Sequence, residues 1–136
     1  MIVEKFSRRL SLYRNGKILK TYKIALGRNP AGPKIKEGDK RTPEGIYHVD
    51  YRNSGSMCYK SLHLSYPNKE DRARAETLGM NPGGDITIHG ISNGYGWIGP
   101  FHRLLDWTVG CIAVTNREMN ELWWAVPDGT VVEILT

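Results

Sequence analysis

Leu10-Ser11-Leu12-Tyr13-Arg14-Asn15-Gly16-Lys17-Ile18-Leu19-Lys20-Thr21-Tyr22-Lys23-Ile24-Ala25-Leu26 decides the fold class of this chain. Its apolar residues, Leu10 and Leu12 and then Ile18, Tyr22, Ile24 and Leu26, fall largely at every second position, as in strands with one buried face. Between the two runs sits Asn15-Gly16, the dipeptide that tolerates the positive φ angles of a type I′ turn. The stretch reads as strand, turn, strand.

Working outward, residues Gly27 to Gly45 are polar and broken by Asn29-Pro30, Gly32-Pro33, Gly38-Asp39 and Thr42-Pro43. That pattern predicts a long surface loop or a pair of turns, and long loops in small domains often carry function. Ile46–Tyr51 and Ser61–Tyr66 predict two more strands, the second broken by Pro67-Asn68. Lys69–Leu78 predicts a short, charged, exposed helix with Asn68 as its N-cap. Asn81-Pro82-Gly83-Gly84 turns the chain into a strand, Asp85–His89. A second glycine-rich stretch, Gly90–Pro100, leads through Phe101–Asp106 to Trp107-Thr108-Val109-Gly110-Cys111 and a strand Ile112–Val114. Thr115 and Glu118 form a capping box, and Met119, Leu122, Trp123 and Val126 line one face of the helix it opens. Pro127-Asp128-Gly129 ends that helix before a closing strand, Thr130–Ile134. The total is a mainly β domain with two short helices and no parallel βαβ repeat.

A length of 136 residues suits one domain, expected to span residues 1–136. The net charge is +5, which favours anionic partners, but the basic residues are scattered. With no arginine-rich run and no aromatic RNA-binding motif, nucleic acid is not expected as a partner. No apolar run approaches about 18 residues, so no integral membrane segment is expected. Met1-Ile2-Val3-Glu4-Lys5 lacks the basic-then-apolar layout of an export signal.

The chain has 2 cysteines, Cys58 and Cys111. Cys111 follows Gly110 and precedes a hydrophobic strand, which places a thiol at a turn that a ligand can approach. A cysteine nucleophile needs a base to take its proton. His89, at the end of one predicted strand and followed by Gly90, is held well for that work. His102 lies nearer to Cys111 in sequence, in a segment expected to line the pocket. His48 and His63 fall inside strand patterns and read as structural, as does Cys58. The backbone N–H groups of Gly110 and Cys111 are candidates for an oxyanion hole, and Thr108 for bracing their turn. His89, His102 and Cys111 show no tight ligand spacing, and paired carboxylates for sugar hydrolysis are not evident. Neither a metal nor a cofactor is expected.

Taken together, His89-Gly90, then Thr108-Val109-Gly110-Cys111-Ile112, then Asn116 before a helix resemble the L,D-transpeptidase catalytic domain, also called the YkuD family. Thr42-Pro43-Glu44-Gly45-Ile46-Tyr47 is similar to that family's TPxG(x)Y hairpin, and Val126–Val132 to its closing helix–turn–strand, so the likeness spans nearly the whole chain. The resemblance implies an L,D-transpeptidase-like β-sandwich or barrel. It implies Cys111 as nucleophile, His89 as general base and the Gly90 carbonyl orienting the base's other nitrogen. The Gly110 and Cys111 amides fall on the oxyanion hole. Two positions depart from the pattern: Val109 stands where the family often has histidine, and Ala113 where it often has arginine. Arg103 is the expected substitute for that arginine, with Thr108 and His102 beside it at the substrate. Tyr66, Trp97 and Trp107 are candidates to line the groove.

The reaction the resemblance implies is attack on the carbonyl of the third residue of a peptidoglycan stem peptide, release of terminal D-alanine, and transfer to an amine. The acceptor is a second stem or a wall-attached protein. Transfer to water by a carboxypeptidase or amidase, and a non-catalytic peptidoglycan-binding module, are the alternative readings. The implied location is the periplasm or cell wall, with the export signal absent from this chain.

Overall fold

The Asn15-Gly16 turn carries the positive φ angles its sequence predicts, 51° and 75°. It joins β2 (Arg9–Arg14) to β3 (Lys17–Lys23) in a computed structural model that describes all residues from Met1 to Thr136. The other strands are β1 (Ile2–Glu4), β4 (Gly45–Ser56), β5 (Tyr59–Leu64), β6 (Thr87–His89), β7 (Ile112–Ala113) and β8 (Val131–Leu135). The helices are α1 (Lys69–Thr77) and α2 (Asn116–Ala125). The glycine-rich stretch before Cys111, read from sequence as a loop, contains a 3-10 run, Gly96–Leu104, kinked at Gly99. β1 has too few residues for an alternating pattern and was not legible in the sequence.

The eight strands form one sheet in the order β3-β2-β1-β8-β4-β5-β6-β7. β1 pairs parallel with β8 and β6 parallel with β7, and every other pairing is antiparallel. β4 belongs to both halves: Gly45–His48 pair with β8, and from Val49 onward the strand pairs with β5, with a register shift between Val49 and Tyr51. Such an irregularity bends a strand and increases its twist. The sheet thereby folds over one cluster of 21 buried residues, which includes Val3, Leu10 and Ile134 from the first half and Leu62, Ile88 and Ile112 from the second.

Of the two expected shapes, the barrel is corrected. The sheet's ends meet only through isolated bridges, Ala25 with Ala113 and Gly27 with Thr108. Ala25 and Ala113 exchange both N–H···O bonds at 2.9–3.0 Å, and Thr108 donates to Leu26 at 3.2 Å. Proline and glycine end strand geometry just beyond this point, so no ladder closes the circle.

Both predicted helices form with their predicted caps. The Asn68 side chain accepts from the Asp71 N–H, and α1 buries only Asp71 and Ala75. In α2 the Thr115 hydroxyl accepts from Glu118 N–H at 3.2 Å while the Glu118 carboxylate accepts from Thr115 N–H at 2.9 Å. Met119, Leu122 and Val126 are buried and Trp123 packs against the core. Thr115→Ala removes one acceptor and leaves the Glu118 N–H without it, which should cost about 0.5–2 kcal/mol. The urea midpoint should fall at unchanged slope, and an unchanged midpoint would refute this role for the cap.

Candidate active site

His89 ends β6 and Cys111 directly precedes β7. The register of these two strands sets Ile88 against Ile112 and His89 against Ala113. Ile88 and Ile112 are fully buried. Because side chains alternate between faces, Thr87, His89 and Cys111 all project from the other face. The Cys111 sulfur accepts from Thr87 N–H at 3.4 Å and from the Thr87 hydroxyl at 3.6 Å, and its thiol donates to the Asp85 carbonyl at 3.4 Å. Its hydrogen bonds go to Asp85 and Thr87 rather than to His89.

His89 is 94% buried, being 6% exposed. Its Nδ1 lies 2.6 Å from the Gly90 carbonyl. A carbonyl only accepts, so Nδ1 carries the proton and Nε2 is left as the acceptor. Gly90 is demanded by space as well: a Cβ there would stand 2.6 Å from Asn116 Oδ1 and 3.0 Å from the Tyr59 Cβ. Asn116, singled out in the sequence only as part of a pattern, also accepts the Ile91 N–H at 2.8 Å and so shapes the chain leaving the base. Interaction with the nearby His89 imidazole holds the Cys58 thiol below the usual cysteine range although burial pushes it up, and the Cys58 sulfur lies 3.7 Å from the Ser92 hydroxyl.

The turn before Cys111 is built on Thr108 and Gly110. The Thr108 hydroxyl donates to the Cys111 carbonyl at 2.7 Å and accepts the Gly110 N–H at 3.1 Å. Thr108 is only 4% exposed, and both of these bonds brace the backbone of the turn. The Gly110 amide, expected as an oxyanion-hole donor, is given to the Thr108 hydroxyl in this structure. Gly110 is needed for its shape: φ is +138°, and a Cβ would lie 2.8 Å from the Arg41 carbonyl.

Two hollows flank the pair. A polar one of about 260 Å³ includes Cys111, Asp85, Glu37, Lys34, Ile86 and Val109. Asp85 takes a left-handed φ of 55°, and its side chain is 95% exposed. An apolar one of about 420 Å³ is lined by Ile91, Ile98, Phe101, His102, Leu105 and Trp107 among others. Trp107 connects the second hollow to the base, its ring centroid 5.6 Å from that of His89 and its indole N–H 3.2 Å from His102 Nδ1. An indole N–H only donates, so His102 keeps its own proton on Nε2, and that atom is buried without a partner. Burial pushes the His102 pKa down to about 4, which makes the ring neutral at pH 7.

The remaining predicted residues are placed as follows. Arg103 follows His102 in the 3-10 run, half-buried and outside every ion pair. Tyr66 lies in the core, 3% exposed, with its hydroxyl on the Pro82 carbonyl. Trp97 stands in solvent at 82% exposure. His48 is exposed, and His63 pairs with Asp50 at 2.7 Å and stacks on Tyr51. Sequence reasoning missed Thr87, Asp85 and the neighbourhood of Cys58. Thr87 could have been found from its place two residues before His89 on the same strand face. Nothing local marks Cys58, which a hairpin brings in from a distance. No group of three or more His, Cys, Asp or Glu side chains converges as a metal site.

The fold is a mostly antiparallel bent sheet with a histidine at the end of β6 and a glycine-led cysteine directly before the adjacent parallel strand β7. The family model of the L,D-transpeptidase catalytic domain, YkuD, matches residues 1–134, and the chain belongs to that family. It is 31% identical over 117 residues to an Escherichia coli (strain K12) protein named "Putative L,D-transpeptidase YafK", an alignment covering 84% of this chain and 39% of that protein. Among solved structures it is similar to the helical cell shape determining protein Pgp2 of Campylobacter jejuni, with 29% identity and a TM-score of 0.75 over 98% of this chain and 46% of that one. It is also similar to Bd1075 of Bdellovibrio bacteriovorus, with 26% identity and a TM-score of 0.69 over 98% and 46%. The chain thus spans 39–46% of the length of these relatives. No helix is long and apolar enough to cross a membrane.

Proposed function

We propose that this domain forms a thioester with peptidoglycan stem peptides through Cys111, with His89 as base, and passes the acyl group to an amine. The observation that carries the reading is the shared face of Thr87, His89 and Cys111, with the His89 Nδ1–H fixed on the Gly90 carbonyl. Positions two residues apart on neighbouring strands are about 7–8 Å apart, a gap that an imidazole and a thiol span once the thiol turns from the Asp85 carbonyl.

In that arrangement Cys111 gives its proton to His89 Nε2 and its sulfur attacks the carbonyl carbon of the third stem residue. The carbonyl oxygen takes the electron pair, beside the Cys111 N–H, which has no other acceptor in the fold. Collapse re-forms the carbonyl and breaks the carbon–nitrogen bond, and His89 returns the proton to the departing D-alanine amine. An amine acceptor then repeats the sequence in reverse, its nitrogen replacing the sulfur. Thr87 is placed to donate to the sulfur while it carries charge. Glu37 and Asp85, at the polar hollow, suit the ammonium of a diamino acid. The His102 Nε2–H suits a carbonyl in the apolar hollow, and Arg103 beside it a carboxylate. A second stem or a wall-attached protein would supply the amine, in the periplasm or cell wall.

The test is product analysis after incubation with muropeptide tetrapeptides and an amine acceptor. Loss of D-alanine together with a new amide-linked product is the expected result. Loss of D-alanine alone would assign a hydrolase, and unchanged substrate with saturable binding would overturn the enzymatic reading.

A further inference from the structure

The 3-10 run Gly96–Leu104 and its flanks leave a large apolar surface in water. Phe101, Leu104 and Leu105 are 70–77% exposed, Tyr95 is 58% exposed, and Trp97, in solvent, belongs to the same run. Single exposed apolar residues are ordinary, whereas a contiguous apolar patch marks an interaction surface. These side chains are contiguous. Tyr95, Phe101, Leu104 and Leu105 all border the same hollow of about 420 Å³, together with the less exposed Ile91 and Trp107. A stem peptide does not account for the patch: it offers carboxylates, an ammonium and single methyl groups, too little apolar surface to cover it.

The charge around the patch has one sign. Gly90 to Leu105 contains no aspartate or glutamate. Arg103 lies within the run, and Arg28 is held against its far end, the Nε–H donating to the Trp107 carbonyl at 3.3 Å. Neither guanidinium has a carboxylate partner. Asp106, the next acid along the chain, is taken by Arg8 at 2.8 Å and by the Leu26 N–H at 3.0 Å.

We propose that this segment docks on the surface of an anionic phospholipid bilayer. Trp97, Phe101, Leu104 and Leu105 enter the boundary between headgroups and acyl chains, and Arg28 and Arg103 meet lipid phosphates. This goes beyond the acyl-transfer reading and does not depend on it. Two features favour a bilayer over a protein partner. Protein interfaces carry about one hydrogen bond per 100–200 Å², yet the only polar side-chain groups of the patch are the Tyr95 hydroxyl and the Trp97 indole N–H. Tyrosine and tryptophan are the aromatic residues that settle at headgroup level, and a guanidinium matches a phosphate with two parallel donors. The contact is a surface one, because the run has 9 residues, well short of the roughly 20 that cross a bilayer. His89 lies behind Trp107, their ring centroids 5.6 Å apart, so docking brings the base close to the membrane face.

The test is sedimentation with vesicles of phosphatidylcholine alone and of an equal mixture of phosphatidylcholine and phosphatidylglycerol. The wild type should bind the mixed vesicles far better than the neutral ones. Arg28→Gln and Arg103→Gln should each weaken that binding about fivefold. Leu104→Ser combined with Leu105→Ser should weaken it by more than about tenfold. Both leucines stand mainly in solvent, so the fold should persist. Tryptophan emission should shift to the blue on the mixed vesicles, and Trp97→Phe should lose that shift while still sedimenting.

No binding to the mixed vesicles, equal binding to both kinds, or wild-type binding by the leucine double variant would overturn the proposal. A blue shift retained in Trp97→Phe would place the contact elsewhere and overturn it as well. So would sedimentation equilibrium showing a wild-type dimer and a monomeric leucine double variant, because the patch would then belong to a second copy of the chain.

Discussion

Cys111→Ala protein should show no acyl transfer above the uncatalysed rate, a loss of at least about 10⁴-fold, and should take up no carbapenem by intact-protein mass. The size follows from covalent catalysis: without the sulfur there is no thioester, and the remaining groups have only binding and orientation to offer. The substitution is cheap for the fold. Cys111 is only partly buried, and its thiol contacts a carbonyl and a threonine that are themselves near the surface. A folded, substrate-binding but unacylated variant is therefore expected, and a single adduct on the wild type alone would match it. Adduct formation on the alanine variant, or retained turnover, would remove Cys111 from the mechanism.

His89→Gln should lower kcat by about 10²–10⁴-fold, the usual worth of a positioned general base. Glutamine matches much of the imidazole's length and can donate to the Gly90 carbonyl, so the strand end should hold its shape. It cannot accept and return a proton near neutral pH. The loss should accordingly appear in kcat more than in KM. A variant that loses affinity at unchanged kcat would recast His89 as a binding residue. His89 is 6% exposed, so thermal melting should accompany the kinetics to confirm that the fold survives.

How far these residues could be read from sequence depends on the range of the interaction. The β2–β3 hairpin, the two caps and the apolar face of α2 are set within a few residues, by φ preference, by hydroxyl-to-amide bonding and by helical period. All of them were legible. Cys111 and His89 were legible because the glycine-flanked motif recurs in a family. The division of labour around them was not. That Thr108 occupies the Gly110 amide depends on a turn whose rotamers no pattern records. That the Cys58 carbonyl takes the Gly90 N–H beside His89 depends on the length and anchoring of another hairpin. The barrel expectation failed on a similar ground, because closure is decided by whether two edges of the sheet can form a full ladder. Here they meet at isolated bridges.

The parallel pairing of β6 with β7 carries a consequence for how this domain can change. Two neighbouring strands that run the same way cannot be joined by a tight turn, so the chain must travel back between them. In this protein that return journey is Gly90–Gly110, and it builds the whole apolar hollow. The thiol and the imidazole are thus written at the two fixed ends of an obligatory detour. Length and composition can drift along the detour while His89 and Cys111, held by the ladder, stay in place. The lining of the hollow can change there by insertion and exchange, at little risk to the placement of either end.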